Sequence, residues 1–331
     1  MKDRISVLIT FYNQEEYVDQ ALKSVMDQKT DCGITVLVGD DGSDDSTREK
    51  VEEWIKKYPG QIKMFVVDRD REKCIPGFRA SRNRLNLLKK VETEYFIFLD
   101  GDDRFDCDEK LKRQIEILDD PNNQDCIACG HNTDRLYPDG ERVPVTSPEL
   151  KEGKLEAKEY WESLYFHTDS LLIRSSVIQK IDVSLLENNF NDNLITFSVI
   201  QYGKIYYLPY SWAVYSQTGS GIWTSDKIVI NQIRNMFMID LCDQINPSMK
   251  KETKKRLKHT WYLLYKIRKQ INSEELAEYS EEARNKNMDN SYKWIHYNEL
   301  SRMDKFAICT KSLMLNWKIC IKEKLHCNKE S

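Results

Sequence analysis

The chain has 331 residues, of which 40% are hydrophobic and 31% charged, enough for one large domain or a core domain with an appendage. No run approaches the roughly 20 consecutive apolar residues that cross a bilayer, and Met1–Arg4 leads directly into strand-like sequence, so neither a span nor a signal peptide is expected and a cytoplasmic location is. The net charge of -4 is unevenly spread: residues 246–331 hold 19 Lys/Arg and 11 Asp/Glu (+8), leaving -12 for residues 1–245. That argues against nucleic-acid binding by the N-terminal part, which would need basic phosphate contacts, and favours a divalent cation.

Ile5–Thr10 is a short apolar run of the kind a buried parallel strand needs. Tyr17, Ala21, Leu22 and Val25 follow at helical spacing, and Thr35–Gly39 is a second strand. Ser46 with Glu49 three residues on has the form of a capping box, and Val51, Trp54 and Ile55 give its helix a buried face. Ile62–Val67, a helix over Pro76–Lys90 and the strand Tyr95–Leu99 complete the alternation, which predicts βαβ crossovers and a doubly wound parallel sheet. Beyond residue 106 the pattern is mixed. A helix is expected over Asp108–Leu118, a strand over Cys126–Gly130, a loop over Tyr137–Pro148, a helix opening near Asp192, and two strands at Ile205–Leu208 and Trp212–Tyr215. After Asn246-Pro247 the sequence turns to long, charged helical segments.

Nine cysteines, an odd number without dense spacing, do not form a secreted disulfide framework. Cys126-Ile127-Ala128-Cys129 lacks the second ligand pair of a structural zinc site and reads as core.

Ligands of doubly wound sheets bind beyond the carboxyl ends of the strands. Three such ends carry polar residues: Thr10 and Tyr12, Asp40 and Asp41, Asp100 and Asp102. Asp100-Gly101-Asp102 supplies hard oxygen ligands for Mn2+ or Mg2+, with Gly101 giving a tight bend and room for a ligand. Alone it reads more readily as a turn than as a site; its weight comes from convergence with the other strand ends. In Asp40–Thr47, Asp44, Asp45 and Ser46 read as turn and helix cap, whereas Asp40 and Asp41 could accept hydrogen bonds from a base or ribose.

Ser6–Asn13, Asp40–Thr47, Arg82-Asn83 and Phe98–Asp103, in this order and spacing, resemble the family 2 glycosyltransferases, over roughly residues 4–220. The resemblance implies an α/β GT-A nucleotide-diphospho-sugar transferase fold, with a Rossmann-like mixed or parallel sheet between helices. It implies a catalytic domain over 1–225 (nucleotide half 1–105, acceptor half 106–225), followed by a helical region over 226–331. It implies transfer from a nucleotide-sugar donor, most often a UDP-sugar, to a saccharide or lipid-linked saccharide in bacterial cell-surface polysaccharide synthesis, with inversion. Thr10 and Tyr12 would line the base pocket, Asp41 with Asp40 beside it would bind the base edge, and Arg82 would lie near the diphosphate. Asp100 would contact ribose or metal, Asp102 would be the main ligand of Mn2+ or Mg2+, and Asp103 would stand behind it.

Asp192 takes the family's base position, with Asn191 where a Glu is usual; the competing assignment is that Asp192 merely caps its helix. His167 falls in the acceptor-side segment and is as readily structural, and Trp223 falls in a glycine-containing segment, 217–223, suited to a closing lid. A non-catalytic nucleotide- or glycan-binding relative is the alternative that Asn191 leaves open. A sugar-nucleotide nucleotidyltransferase is disfavoured because no Gly-rich phosphate loop follows the first strand, and a dinucleotide oxidoreductase because GxGxxG is absent. Two basic amphipathic stripes, Leu257, Trp261, Leu264, Ile267 and Ile271, then Met303, Phe306, Leu313, Trp317, Ile321 and Leu325, suit either an anionic membrane surface or packing on the catalytic domain or another subunit.

Overall fold

The computed structural model describes residues 2–67, 75–146, 150–163, 166–219 and 227–310. Trp223, and Leu313, Trp317, Ile321 and Leu325 of the second stripe, lie outside the described residues. The chain forms two compact units, Met1–Thr224 and Ser225–Ser331.

The first unit is built on a mixed ten-stranded sheet. Its nucleus is β1 (Asp3–Phe11), β2 (Gly33–Asp40), β3 (Ile62–Val66) and β4 (Tyr95–Asp100), all parallel in the order β3-β2-β1-β4. Ile5, Val7, Leu8 and Ile9 of β1 and Phe96–Leu99 of β4 are buried on both faces, which explains why these strands are continuous apolar runs rather than alternating ones. The crossovers run through α1 (Val18–Met26), α2 (Thr47–Lys57) and α3 (Pro76–Leu88). Next come β5 (Arg104–Phe105), α4 (Lys110–Asp119), β6 (Cys126–Leu136), β7 (Arg142–Pro144), β8 (Gly153–Leu155), α5 (Ala157–Ser163), β9 (Leu172–Arg174), α6 (Val183–Leu186), α7 (Asp192–Ile200) and β10 (Lys204–Ser216). The antiparallel β9 joins β4 to β6, and β10 runs parallel to β6. The doubly wound expectation therefore holds for the first hundred residues, and the sheet becomes mixed after them.

Several local expectations change. Ile205–Leu208 and Trp212–Tyr215 are one strand, β10, whose register against β6 shifts at Leu208/Ser211 and Ser211/Ala213. These irregularities break the sequence periodicity while the ladder continues. The loop expected over Tyr137–Pro148 contains β7, paired with the end of β6, which runs six residues past Gly130. The Ser46–Glu49 capping box does not form: the Ser46 side chain makes no cap bond, and Asp45 Oδ1 accepts the Thr47 N–H instead. Cys126 and Cys129 are buried free thiols.

The second unit contains α8 (Ile228–Ile245), α9 (Lys250–Ile267), α10 (Ala277–Asn285) and α11 (Asp289–Ile295), and residues 302–310 are helical. Buried Asp240 of α8 accepts from Asn290 Nδ2 (2.6 Å), Ser291 N (2.9 Å) and Ser291 Oγ (2.7 Å), capping the first turn of α11. Trp261 of α9 meets Trp294 of α11 edge to face at 5.6 Å, and Leu264 and Ile271 are buried. The first apolar stripe thus packs within its own unit. Among the described residues, no helix is long and apolar enough to cross a membrane.

Candidate active site

The strand ends are held together by their own backbones. Thr10 stands between Gly39 of β2 and Asp100 of β4 in the parallel register, Gly101 N donates to Thr10 O (3.1 Å), and Asp41 N donates to Phe11 O (2.9 Å). The loops after β1 and β2 then lock through side chains. Asn13 N donates to Ser43 Oγ (3.0 Å), Gln14 N to Thr47 Oγ1 (2.9 Å) and Glu15 N to Asp45 Oδ2 (3.1 Å), while Asp44 N donates to Asn13 Oδ1 (2.9 Å). Much of the Asp40–Thr47 motif is therefore scaffolding that fixes where Tyr12 stands. Tyr12 is 40% exposed next to Asn13, whose φ of 48° turns the chain out of the sheet.

Asp40 is fully buried, and its Oδ2 accepts from Gly42 N and Ser43 N (3.0 Å each) and Arg48 Nε (2.9 Å). It shapes the turn that presents Asp41. Asp41 is held by the Arg79 guanidinium at 3.0 and 3.3 Å.

Gly101 is required by packing: a Cβ there would come within 2.3 Å of the Phe11 ring and 2.4 Å of Gln14 Oε1. Gly39 is likewise closed off by Asn83, whose Nδ2 donates to Gly39 O at 3.0 Å, so the Asn of the Arg82-Asn83 pair docks α3 onto β2.

Arg82 Nε donates to Asn188 Oδ1 at 2.7 Å, and Ser81 Oγ accepts from Phe190 N at 3.0 Å, so α3 supports the segment that leads into α7. The cation on Asp100 is Arg84, with Nη2 at 2.5 and 2.6 Å from the two carboxylate oxygens. Sequence reasoning missed Arg84; its closeness to Arg82 on the helix that starts from the same sheet edge was the available signal.

Asn191 is the N-cap of α7, its Oδ1 accepting from Leu194 N at 3.0 Å, and Asp192 is the first helical residue. Capping belongs to Asn191, which accounts for the departure from Glu and disposes of capping as the role of Asp192.

His167 sits between three carboxylates. Its Nε2 lies 3.8 Å from Asp103 Oδ2 and 3.8 Å from Asp192 Oδ2, its Nδ1 lies 3.2 Å from Asp169 Oδ1, and its ring stacks on Tyr215 at 4.4 Å. Burial alone would lower its pKa, but the charges of Asp169 and Asp192 raise it well above the ordinary value. Burial likewise opposes ionisation of Asp169, yet His167 and the Thr133 hydroxyl (2.7 Å) hold its carboxyl below the usual range. Asp103 is fully buried, with Oδ1 accepting from Ser216 N at 2.8 Å; burial pushes its carboxyl well up, and Oδ2 has no hydrogen-bond partner. Burial and the Asp100 charge push Asp102 up to about 6.

Ligand atoms of Asp100, Asp103 and His167 lie within 4.8 Å of one another. The orphaned Asp103 Oδ2, facing an imidazole nitrogen among surplus carboxylates, fits a divalent cation with hard oxygen and nitrogen donors. The expected pair was Asp102 with Asp100, Asp103 standing behind; the geometry instead groups Asp103 and His167 with Asp100. Ser216 N, at the end of β10 and 113 residues away in sequence, holds Asp103 Oδ1 and leaves Oδ2 toward His167.

The profile described as glycosyl transferase family 2 matches residues 6–182. An uncharacterised Mycobacterium tuberculosis protein is 26% identical over 230 residues, covering 67% of this chain and 61% of the relative; the chain thus spans about three-fifths of the curated relatives it first matches. The structure of Staphylococcus aureus TarS 1-349 in complex with UDP superposes with a TM-score of 0.55 at 17% identity, covering 89% of this chain and 91% of that one. The mannosyltransferase PcManGT of Pyrobaculum calidifontis, in complex with GDP-Man and Mn2+, gives 0.51 at 14% identity over 95% and 88%. At such identities the structural likeness establishes the fold.

Proposed function

Because the chain belongs to glycosyl transferase family 2, we propose that it moves a sugar from a UDP-sugar to a hydroxyl of a saccharide or lipid-linked saccharide, with inversion, in cell-surface polysaccharide assembly. The observation that carries this reading is the position of Asp192. It opens α7, is relieved of capping by Asn191, and shares His167 with Asp103 of the acidic strand end. A carboxylate so placed can take the proton of an attacking hydroxyl within hydrogen-bond reach. His167 Nε2, 3.8 Å from Asp192 Oδ2 and 3.8 Å from Asp103 Oδ2, ties the base to the acidic strand end.

On the donor side, exposed Tyr12 offers a face for the base, Thr10 lines the floor between β2 and β4, and Asp41, buried and paired with Arg79, would accept from the base edge. Arg84 and Arg79, seated on α3, hold Asp100 and Asp41 in place. A divalent cation, Mn2+ or Mg2+, would be held by Asp100, Asp103 and His167, with Asp102 beside them, and would offset charge on the departing nucleoside diphosphate. A single displacement with Asp192 as its base would invert the anomeric centre. The six described cysteines are all free thiols, which suits a reducing compartment such as the cytoplasm.

Asp192→Asn tests the reading. Transfer should fall by about two orders of magnitude or more, while UDP binding measured by titration calorimetry stays near wild type. Full transfer by this variant would remove Asp192 as the base.

A further inference from the structure

The second unit carries a surface that the transferase reading does not use. From Lys250 to Lys269 the sequence holds nine Lys/Arg and one acid, Glu252. The apolar face of α9 is covered within the unit: Thr253, Thr260 and Leu264 are buried, and Trp261 packs on Trp294. What remains outside is a row of exposed lysines, Lys251, Lys254, Lys255, Lys258 and Lys266. At 100° per residue they fall within an arc of roughly 120°, and they extend over about 22 Å of helix. Among the described residues no carboxylate pairs with any of the five; Lys266 instead lies 4.5 Å over the Tyr262 ring on the same face. Within the arc, between Lys254 and Lys258, Tyr265 Oη meets Cys309 Sγ at 2.9 Å, bringing the 302–310 helix alongside. That helix buries Ile308 and leaves Met303 83% and Phe306 70% exposed.

We propose that this face docks on an anionic lipid bilayer, with the lysine row at the phosphate level and Met303 and Phe306 entering the interface. Charge complementarity selects an anionic occupant, because five unpaired lysines on one face repel each other unless counter-charge is supplied. The exposed Phe and Met select a bilayer over a dissolved polyanion, which offers nothing apolar for those side chains to enter. The apolar stripe of α9 is covered by packing, one of its two expected roles, so the membrane contact is assigned to the opposite, basic face.

The test is flotation of the full chain with vesicles of phosphatidylcholine alone or with about one-third phosphatidylglycerol. Binding to the anionic vesicles should be at least about tenfold stronger and should weaken as salt rises. Combined Lys251→Glu, Lys254→Glu and Lys258→Glu should lower it at least about tenfold, and Phe306→Ser with Met303→Ser should lower it several-fold, most visibly at high salt. All five positions are exposed, so unchanged circular dichroism is expected and is checked alongside. Equal binding to neutral vesicles, or undiminished binding by the charge-reversed variant, would overturn the proposal. So would binding to soluble polyphosphate that matches the anionic vesicles and ignores Phe306→Ser.

Discussion

His167 shows how one side chain changes the meaning of its neighbours. As an isolated histidine in the sequence it is as readily structural as functional. Placed between Asp103, Asp169 and Asp192, it links the acidic end of β4 to the base on α7. Asp169 and Thr133 fix the far side of the ring, the arrangement by which an outer carboxylate orients a ligating imidazole. Replacing His167 by Ala or Asp103 by Asn should weaken Mn2+ binding at least about tenfold, the scale at which even outer-shell partners act, as read by electron paramagnetic resonance titration with UDP present. If Asp102→Asn alone removed the Mn2+ signal and the other two variants left it intact, the ion would sit where the motif spacing put it.

At the scale of elements, the edges of the sheet are fastened by charge as well as by apolar burial. Arg4 of β1 makes two bonds to Asp119 at the end of α4 (2.8 and 2.9 Å) and one to Glu94 (2.6 Å) ahead of β4. The Arg4 guanidinium holds both carboxyls below their ordinary values of 3.8 and 4.5. A depressed folded-state pKa means stability that is present above the unfolded value and lost as pH falls through the folded one. Because the groups are partly exposed, the contribution is about 1 kcal/mol or less. Arg4→Met should therefore lower unfolding stability by that amount at pH 7, and its difference from wild type should close as the pH is brought below 4. A difference that stayed constant down to pH 3 would assign the loss to packing of the Arg4 stem rather than to its charge.

The motif lines at this scale were legible in part. The strand–helix alternation over residues 1–100 follows from apolar period and spacing, and it matches the observed β1–β4 with α1–α3. The Ser46–Glu49 cap was misread because Asp45, one residue earlier, reaches the Thr47 N–H first. Gly101 was expected for a tight bend and is needed because Phe11 and Gln14 occupy the space a Cβ would take.

Across the whole molecule, the two units are stabilised by different means. In the first, the double-faced burial of β1 and β4 supplies the core, each fully buried Val, Leu, Ile or Phe contributing about 1.5–3 kcal/mol. The second relies on helices packed on one another, whose ends need partners, and buried Asp240 supplies one by capping α11 from α8. Asp240→Ala leaves the Ser291 N–H and hydroxyl buried without an acceptor, a cost of about 2 kcal/mol. Hydrogen exchange in residues 289–295 should then speed up roughly thirtyfold. Unchanged protection there would show that the cap adds nothing to that helix.

By itself the sequence determined the parallel nucleus and the sheet edge where polar residues gather, because apolar periodicity and strand-end chemistry are local properties that survive without coordinates; the family was legible through the resemblance of its motifs in order and spacing. Tertiary structure alone decided which carboxylates face a common centre. Asp103 is turned by Ser216, His167 meets Asp103 and Asp192, and Asp100 is held by Arg84, each across the fold rather than along it. It also decided that the apolar stripe of α9 is covered and its lysines are not. The physical reason is that a carboxylate's protonation, its partners and a helix face's exposure depend on distances of a few ångströms between residues far apart in the chain, which spacing along the sequence does not encode.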